Sequence, residues 1–260
     1  MNIKKIWLSI LQSLTLLLVV FVIHGFGQSA GDYHKVEIFG GYSLAATKTI
    51  TESVTFTSPG GSQTFSDLCS SATGEMIGGN LQKFFCDRRS FNGFDASITF
   101  NLSKYFGIKG DFTGHFKDDR FDDNFTPPGV TQTITTRERL YNFLVGVQVK
   151  NNSKEAQIKP FAHALIGAAR YTDRQAQVLD LFPQFNFDGQ DRETSFAMKL
   201  GGGIDIRAGK RIDVRVFEID YHPIFAGDRN WKVISGPFNP ISSTGRRSDN
   251  ITFSFGIVIH

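Results

Sequence analysis

Long apolar runs are almost missing from this chain of 260 residues. The one uncharged stretch of any length, Ile6 to Ile23, follows Lys4 and Lys5 at the N-terminus, and nothing downstream repeats it. A bundle of membrane helices, each needing about 20 consecutive apolar residues, is thereby excluded. Charge of one sign is equally scarce, with 28 Lys and Arg against 25 Asp and Glu and a formal net charge of +3. So small a surplus argues against nucleic acid as a partner, and no basic tail is present. Cysteine occurs only at Cys69 and Cys86, and no Cys/His cluster has zinc spacing.

The N-terminal run sets the compartment. A basic start, an apolar core and the small residues of Gly25-Phe26-Gly27 ahead of Gln28 have the form of a secretory signal peptide. We therefore divide the chain into a signal peptide over 1–27 and a single mature domain over 28–260. In an exported protein an even cysteine count reads as one disulfide, Cys69 to Cys86, inside a polar segment.

What the chain has in abundance is Phe and Gly, 26 of each, and a period of two. Phe196, Met198, Leu200, Ile204 and Ile206 alternate with Lys199, Asp205 and Arg207, and a turn at Ala208-Gly209-Lys210 reverses into Ile212, Val214 and Val216. That is a β-hairpin with one apolar and one charged face. Phe217, Ile219 and Tyr221 then fall out of phase, which predicts a β-bulge at Val216-Phe217 that keeps Arg215, Glu218 and Asp220 on the inner side. The same pattern recurs at Val36 to Leu44, Phe94 to Leu102, Phe106 to Phe116, Tyr141 to Val149 and Ile251 to Ile259. Residues 157–171 are apolar on both faces and give no phase. Eight strands result, with short turns near residues 103, 152 and 209 and four long connections over 45–91, 117–136, 172–192 and 225–248. Within the first of these, Thr49 to Thr57 ahead of Pro59-Gly60-Gly61 predicts a hairpin beyond the membrane. No helix covers the apolar faces, so lipid does. The predicted fold class is an all-β, eight-stranded, antiparallel transmembrane up-and-down barrel with four long outer loops and short periplasmic turns.

Phe39-Gly-Gly-Tyr42, Gly201-Gly-Gly-Ile-Asp-Ile206 with Arg211-Ile-Asp-Val-Arg215 and Asp220-Tyr221, and the closing Phe255-Gly-Ile-Val258 resemble the small eight-stranded outer-membrane β-barrel family. The likeness is to its OmpA-like and opacity-protein-like group, without a peptidoglycan-binding domain. It implies a bacterial outer-membrane location, contact with outer-membrane lipid and lipopolysaccharide, and insertion by the barrel assembly machinery. Such barrels usually end in an aromatic residue, whereas here the last outward residue is Ile259, followed by His260.

The inward phase carries Glu37, Asp95, Lys109, Asp111, His115, Lys199, Asp205, Arg207, Arg215, Glu218 and Asp220. In so narrow a space opposite charges must pair, and we read these residues as a structural lumen network. A narrow gated pore and a catalytic constellation are the alternatives. For catalysis His222 lacks a nearby Ser, His163 reads as a packed or interfacial ring, and His115 reads as a lumen member. The acidic run Asp118, Asp119, Asp122, Asp123 lacks cation-loop spacing and reads as solvated. Arg88, Arg89, Arg137, Arg139, Arg170, Arg174, Arg246 and Arg247 gather near the outer strand ends, where lipopolysaccharide phosphates would lie. Lys104, Lys150, Lys154, Lys210 and Arg211 gather at the opposite rim. The expectation is a non-enzymatic barrel with a structural or adhesin-like role and an unidentified surface ligand. It has no catalytic, cofactor or metal residues and no nucleic-acid partner. A channel for small solutes and a lipid-modifying enzyme are the competing readings.

Overall fold

A computed structural model describes residues 32–50, 53–58, 61–66, 87–125, 130–179, 187–227, 229–231, 241–244 and 247–260. The expected signal peptide over 1–27 and the expected disulfide of Cys69 and Cys86 lie outside these residues. The strands are β1 (Val36–Ile50), β2 (Ser53–Ser58), β3 (Gly61–Ser66), β4 (Arg89–Asn101), β5 (Phe106–Phe125) and β6 (Val130–Lys150). They continue as β7 (Ile158–Leu179), β8 (Phe187–Arg207), β9 (Ile212–Phe225), β10 (Arg229–Trp231), β11 (Ile241–Thr244) and β12 (Arg247–Ile259). Eight of them close a barrel in the order β1-β12-β9-β8-β7-β6-β5-β4, every pair antiparallel, and β10-β11-β2-β3 form a separate small sheet.

The alternation becomes two surfaces. Outward residues such as Ile38, Ile98, Val145, Ile166, Leu200, Val214 and Phe255 keep 39–55% of their surface exposed in a continuous apolar belt. Large exposed apolar surface on every strand of a closed barrel is the mark of a wall that faces lipid. Upper aromatic residues ring the belt: Tyr42 hydrogen-bonds Asn92, Phe94 packs on Phe112 and Phe116, and Phe196 stacks on Phe225. The strand at 157–171 resolves with Lys159, Phe161, His163, Leu165 and Ala169 inward. Its inner face is apolar because Leu165 and Ala169 join Leu140, Leu144, Ala197 and Ile224 in a small core inside the barrel. That inner core removed the polar half of the pattern.

The bulge falls where the phase break put it. Ile204 pairs with Phe217 and Asp205 with Arg215, so Val216 is the extra residue. Val216 and Phe217 both face out while Arg215 and Glu218 face in.

Two of the long connections are corrected. Residues 117–136 and 172–192 are mostly strand: the β5–β6 ladder runs unbroken to Phe125 and Val130, and the β7–β8 ladder to Gln177 and Phe187. Past the lipid an alternating apolar face serves no purpose, so the sequence signal fades while backbone pairing continues. The predicted outer hairpin is β2–β3, whose turn uses Gly61 at φ 135°, a left-handed conformation that suits glycine.

At the other end the short turns near residues 103 and 152 lie beside residues 32–35. Lys154 N–H donates to Asp32 C=O, Asn152 N–H to Lys104 C=O, and the Tyr33 hydroxyl to Leu102 C=O. The segment is tied across that end of the barrel.

Gly203 marks the tightest approach beside the bulge. A Cβ there would sit 2.0 Å from the Phe217 carbonyl oxygen and 2.9 Å from Glu218 Cα, both backbone atoms. Gly203→Val should therefore abolish the heat-modifiable gel shift that a closed barrel gives, whereas Gly40→Ala, whose Cβ would meet nothing within 4 Å, should keep it.

Candidate functional site: a charge-filled lumen

The bulge and the period of two send a stack of charged layers into the barrel. At its centre stands Arg215 on β9. The guanidinium lies between two rings, 4.1 Å from the Phe39 centroid and 4.2 Å from that of Phe161. Its Nε donates to Asp205 at 2.8 Å, and a second nitrogen donates to Glu218. Below it, Lys150 bridges Glu37 and Asp205, each at 2.8 Å. Lower still, Lys159 and His260 meet Asp213 at 2.7 and 2.8 Å, and His34 stacks on His260 at 3.9 Å.

Above Arg215, Lys199 on β8 reaches across the lumen to Asp95 at 3.1 Å, Asp111 at 3.1 Å and Asp220 at 3.3 Å. Lys109 on β5 meets Glu218 at 3.2 Å and the His163 ring at 3.4 Å, and His163 Nε2 lies 2.9 Å from Asp220. Next comes a neutral polar layer in which Ser43 links His115, at 2.9 Å, to Ser254, at 3.0 Å. At the top Arg89 clamps Glu138, which also accepts from Tyr171, and reaches Asp119 at 2.8 Å. These layers follow one another from one end of the lumen to the other.

Of the residues assigned from sequence, Glu37, Asp95, Lys109, Asp111, Lys199, Asp205, Arg215, Glu218 and Asp220 are all buried in this lumen. Three others move. Arg207 faces out at a turn and bonds the Gly209 carbonyl; it is the last residue of β8, where the inner phase runs out. Lys150, expected at a rim, is buried in the lumen because β6 ends on the inner phase there. Arg89, expected on the outer surface, is half-buried under the mouth. His163 is neither packed in an apolar wall nor interfacial but part of the charge network.

Sequence reasoning missed Lys150, Lys159, Asp213, Glu138 and His260. For Lys150 and Asp213 the parity of their own strands, even on β6 and odd on β9, was available as a signal. The acidic run stands on β5 rather than in a loop, and three of its members are paired: Asp118 accepts from Arg139 at 2.6 Å, Asp119 meets Lys117 at 3.4 Å, and Asp122 accepts from Thr133 at 2.7 Å. The hydrogen bond from Arg139 holds the Asp118 carboxyl below its ordinary range.

Two carboxylate groupings have ligand atoms close enough for an ion, His163 with Glu218 and Asp220, and Asp95 with Asp111 and Glu218. Both already hold the ammonium groups of Lys109 and Lys199, so a cation there would be repelled at close range. Ser43 with His115 has the spacing of a nucleophile and its base, but both are fully buried. The His115 Nδ1, where an orienting acid would sit, has no partner, and Asp95 enters from the serine side through Ser254. The geometry of a triad is not there.

Arg215→Ala would leave Asp205 and Glu218 short of a cation inside the barrel, and should cost about 3–5 kcal/mol in urea unfolding. Asp118→Asn, which breaks an exposed pair, should cost roughly 1 kcal/mol or less. Acid should act at the lower end: burial, with His260 and Lys159 adding to it, lowers the His34 pKa to about 4. A base whose folded pKa is depressed contributes its stability fully above its unfolded value of about 6.5 and loses it as pH falls towards 4. Unfolding midpoints measured across that window should fall more steeply for the native chain than for His34→Phe.

No family model matches this chain, and no curated protein matches it. Solved structures do. OprG, an outer membrane protein of Pseudomonas aeruginosa, aligns over 88% of this chain and 98% of its own at 11% identity with a TM-score of 0.50. The outer membrane protease OmpT of Escherichia coli aligns over 90% and 99% at 8% identity, TM-score 0.47. Ail, the attachment invasion locus protein of Yersinia pestis, solved with a heparin analogue, aligns over 87% and 100% at 10% identity, TM-score 0.42. The fold is that of a bacterial outer-membrane β-barrel, and the apolar belt fits that membrane.

Proposed function

We propose that this chain is a non-enzymatic outer-membrane barrel whose working surface is its outer rim. It is exported behind the signal peptide at 1–27, inserted by the barrel assembly machinery, and carries a Cys69–Cys86 disulfide in its first outer segment. The observation that carries the reading is the Lys199 and Arg215 layers, which occupy the lumen with hydrogen-bonded charge. Buried paired charges of this kind are costly to part, so the lumen is a brace and not a route. The strands β5 to β8 rise past the belt as a rigid wall, and the sheet β10-β11-β2-β3 adds a second surface element. Support for a non-catalytic role comes from the buried Ser43–His115 pair, which no substrate reaches. OmpT, a protease, shares the general architecture, so architecture alone does not choose between these roles.

Planar-bilayer recording tests the lumen. The native barrel should give no steady conductance steps, and Lys199→Ala should not open it without also lowering its unfolding midpoint, because the same charges brace the wall. Stable single-channel steps in the native protein would overturn the reading in favour of a narrow channel.

A further inference from the structure

The neutral layer above Lys199 and below the Arg89 clamp has no ion pair of its own among the described residues. Four of its fully buried side chains each carry a polar atom without a hydrogen-bond partner among those residues: His115 Nδ1, Asn142 Oδ1, His222 Nε2 and Asn250 Nδ2. Buried polar atoms are nearly always paired, so four orphans at one level require a cause. Their common level follows from the ladders. From His115 on β5 the pairing leads one way through Gly93, Ser43 and Ser254 to Glu218 on β9. The other way it leads through Leu140 and Tyr171 to Glu193 on β8, above the last β8–β9 pair, Phe196–Phe225. β9 lies opposite β5 in the barrel order, and strand tilt makes the two paths diverge. The position level with His115 is midway between their ends, at His222. The same construction sets Asn250 on β12 across from Asn142 on β6. Three of the other inward positions at this height are alanine, Ala45 on β1, Ala169 on β7 and Ala197 on β8, so the wall leaves room between the two imidazoles.

Hydrogen bonds beneath the layer decide what these atoms offer. Asp95 Oδ2 accepts from the Lys199 ammonium at 3.1 Å and from the Ser254 hydroxyl at 3.3 Å. A carboxylate so held only accepts, so the single Ser254 proton goes to it. The Ser43 proton then goes to Ser254 Oγ at 3.0 Å, and the His115 Nε2 proton to Ser43 Oγ at 2.9 Å. That relay leaves His115 Nδ1 unprotonated, with a lone pair inside the lumen. Asn142 Nδ2 donates to Thr113 Oγ1 at 2.8 Å, which leaves Oδ1 as a second acceptor. Asn250 Oδ1 accepts from the Ser248 hydroxyl at 2.9 Å, so its orphan is a donor.

We propose that the upper lumen binds one divalent transition-metal ion of the zinc class on His115 Nδ1 and His222 Nε2, with the Asn142 carbonyl oxygen beside them. Imidazole nitrogens select zinc, copper and nickel over calcium and magnesium. A ligand histidine whose other nitrogen donates towards a carboxylate is the usual support of such a site, and Asn250 Nδ2 suits a water or anion that completes the coordination. Electrostatics favour a cation here and not one layer below. The groupings of Asp95, Asp111, Glu218 and Asp220 already enclose the ammonium groups of Lys109 and Lys199, whereas no ammonium is bonded to the four orphaned atoms. Lumen carboxylates also outnumber lumen cations among the described residues. The ion joins β5 to β9 across the diameter, at a level where side-chain charge supplies no such link. The proposal extends the reading of the lumen as a brace and does not depend on what the rim binds.

The test refolds the full barrel in uncharged detergent with Zn²⁺, because the Arg89 clamp covers the layer from above. Loose ions are removed by gel filtration and the retained zinc is counted by atomic emission. One zinc per barrel is expected, and no Mg²⁺ or Ca²⁺ when either replaces it. Cu²⁺ at the site should show coupling to two imidazole nitrogens in its electron spin resonance. His115→Gln and His222→Gln should each weaken zinc retention by roughly a hundredfold, and Ser254→Ala, which breaks the relay without touching the ion, by about tenfold. His34→Phe and the double variant Cys69→Ser/Cys86→Ser should keep the full load. A native barrel that retains no zinc, or zinc that survives both histidine variants, overturns the site. Zinc lost with His34→Phe assigns the ion to the lower end, and zinc lost with the cysteine variant assigns it to thiols; either overturns the proposal. Heat-modifiable migration is recorded for every variant. Where a histidine variant fails to fold, the copper spectrum of the native protein decides, and the absence of two imidazole couplings overturns the site. Failed metal binding in a barrel that still gives no conductance strikes the ion alone, whereas steady conductance strikes the brace.

Discussion

A charge inside a barrel of eight strands has no water to retreat to, and the rest of this structure follows from that. The lumen of such a barrel is just wide enough for side chains to fill. An unpaired ion there would cost several kcal/mol, so each inward charge requires a complement within reach. Arg215 meets the demand most fully, held between the faces of Phe39 and Phe161 and bonded to Asp205 and Glu218. The pairs are also mechanical. Lys199 on β8 joins Asp95 on β4 and Asp111 on β5, Lys109 on β5 joins Glu218 on β9, and Lys150 on β6 joins Glu37 on β1. Backbone ladders hold the wall around its circumference; these spokes hold it across.

The spokes constrain the strands that carry them. Arg215 and Glu218 are three apart, a spacing that puts them on opposite faces of a regular strand. The extra residue at Val216 returns both to the inside. Among the described residues, eight lumen carboxylates, Glu37, Asp95, Asp111, Glu138, Asp205, Asp213, Glu218 and Asp220, face six cations, Arg89, Lys109, Lys150, Lys159, Lys199 and Arg215. Two histidines touch this set, His163 against Asp220 and His260 against Asp213. Lipid contact outside and charge pairing inside are thus set by one alternating sequence, and the bulge is where the two requirements conflict and are reconciled.

This division explains what could be read in advance. Wherever lipid and charge lay on opposite faces, the period of two located strands, short turns, part of the inward set and even the bulge at Val216-Phe217. It failed at β7, where Leu165 and Ala169 serve an inner apolar core and both faces look alike. It failed again above the membrane, since a strand with water on one side and polar neighbours on the other has no hydrophobic period to display. The ladders from Lys117 to Phe125 and from Thr172 to Leu179 therefore read as loops. Pairing partners across the lumen were out of reach for a different reason: the strand order makes the chain cyclic, but the side-chain reach of each lysine depends on radial position, which no linear pattern encodes.

The strand extensions alter where specificity can reside. A long flexible loop loses conformational entropy on binding, so part of its contact energy goes to ordering the loop itself. A hydrogen-bonded ladder has already met that cost during folding. On β5 to β8 the arginines are spaced by backbone register, about 4.8 Å between strands and roughly 7 Å between successive outward positions. That register is held by the barrel beneath, which is braced in turn by its own buried pairs.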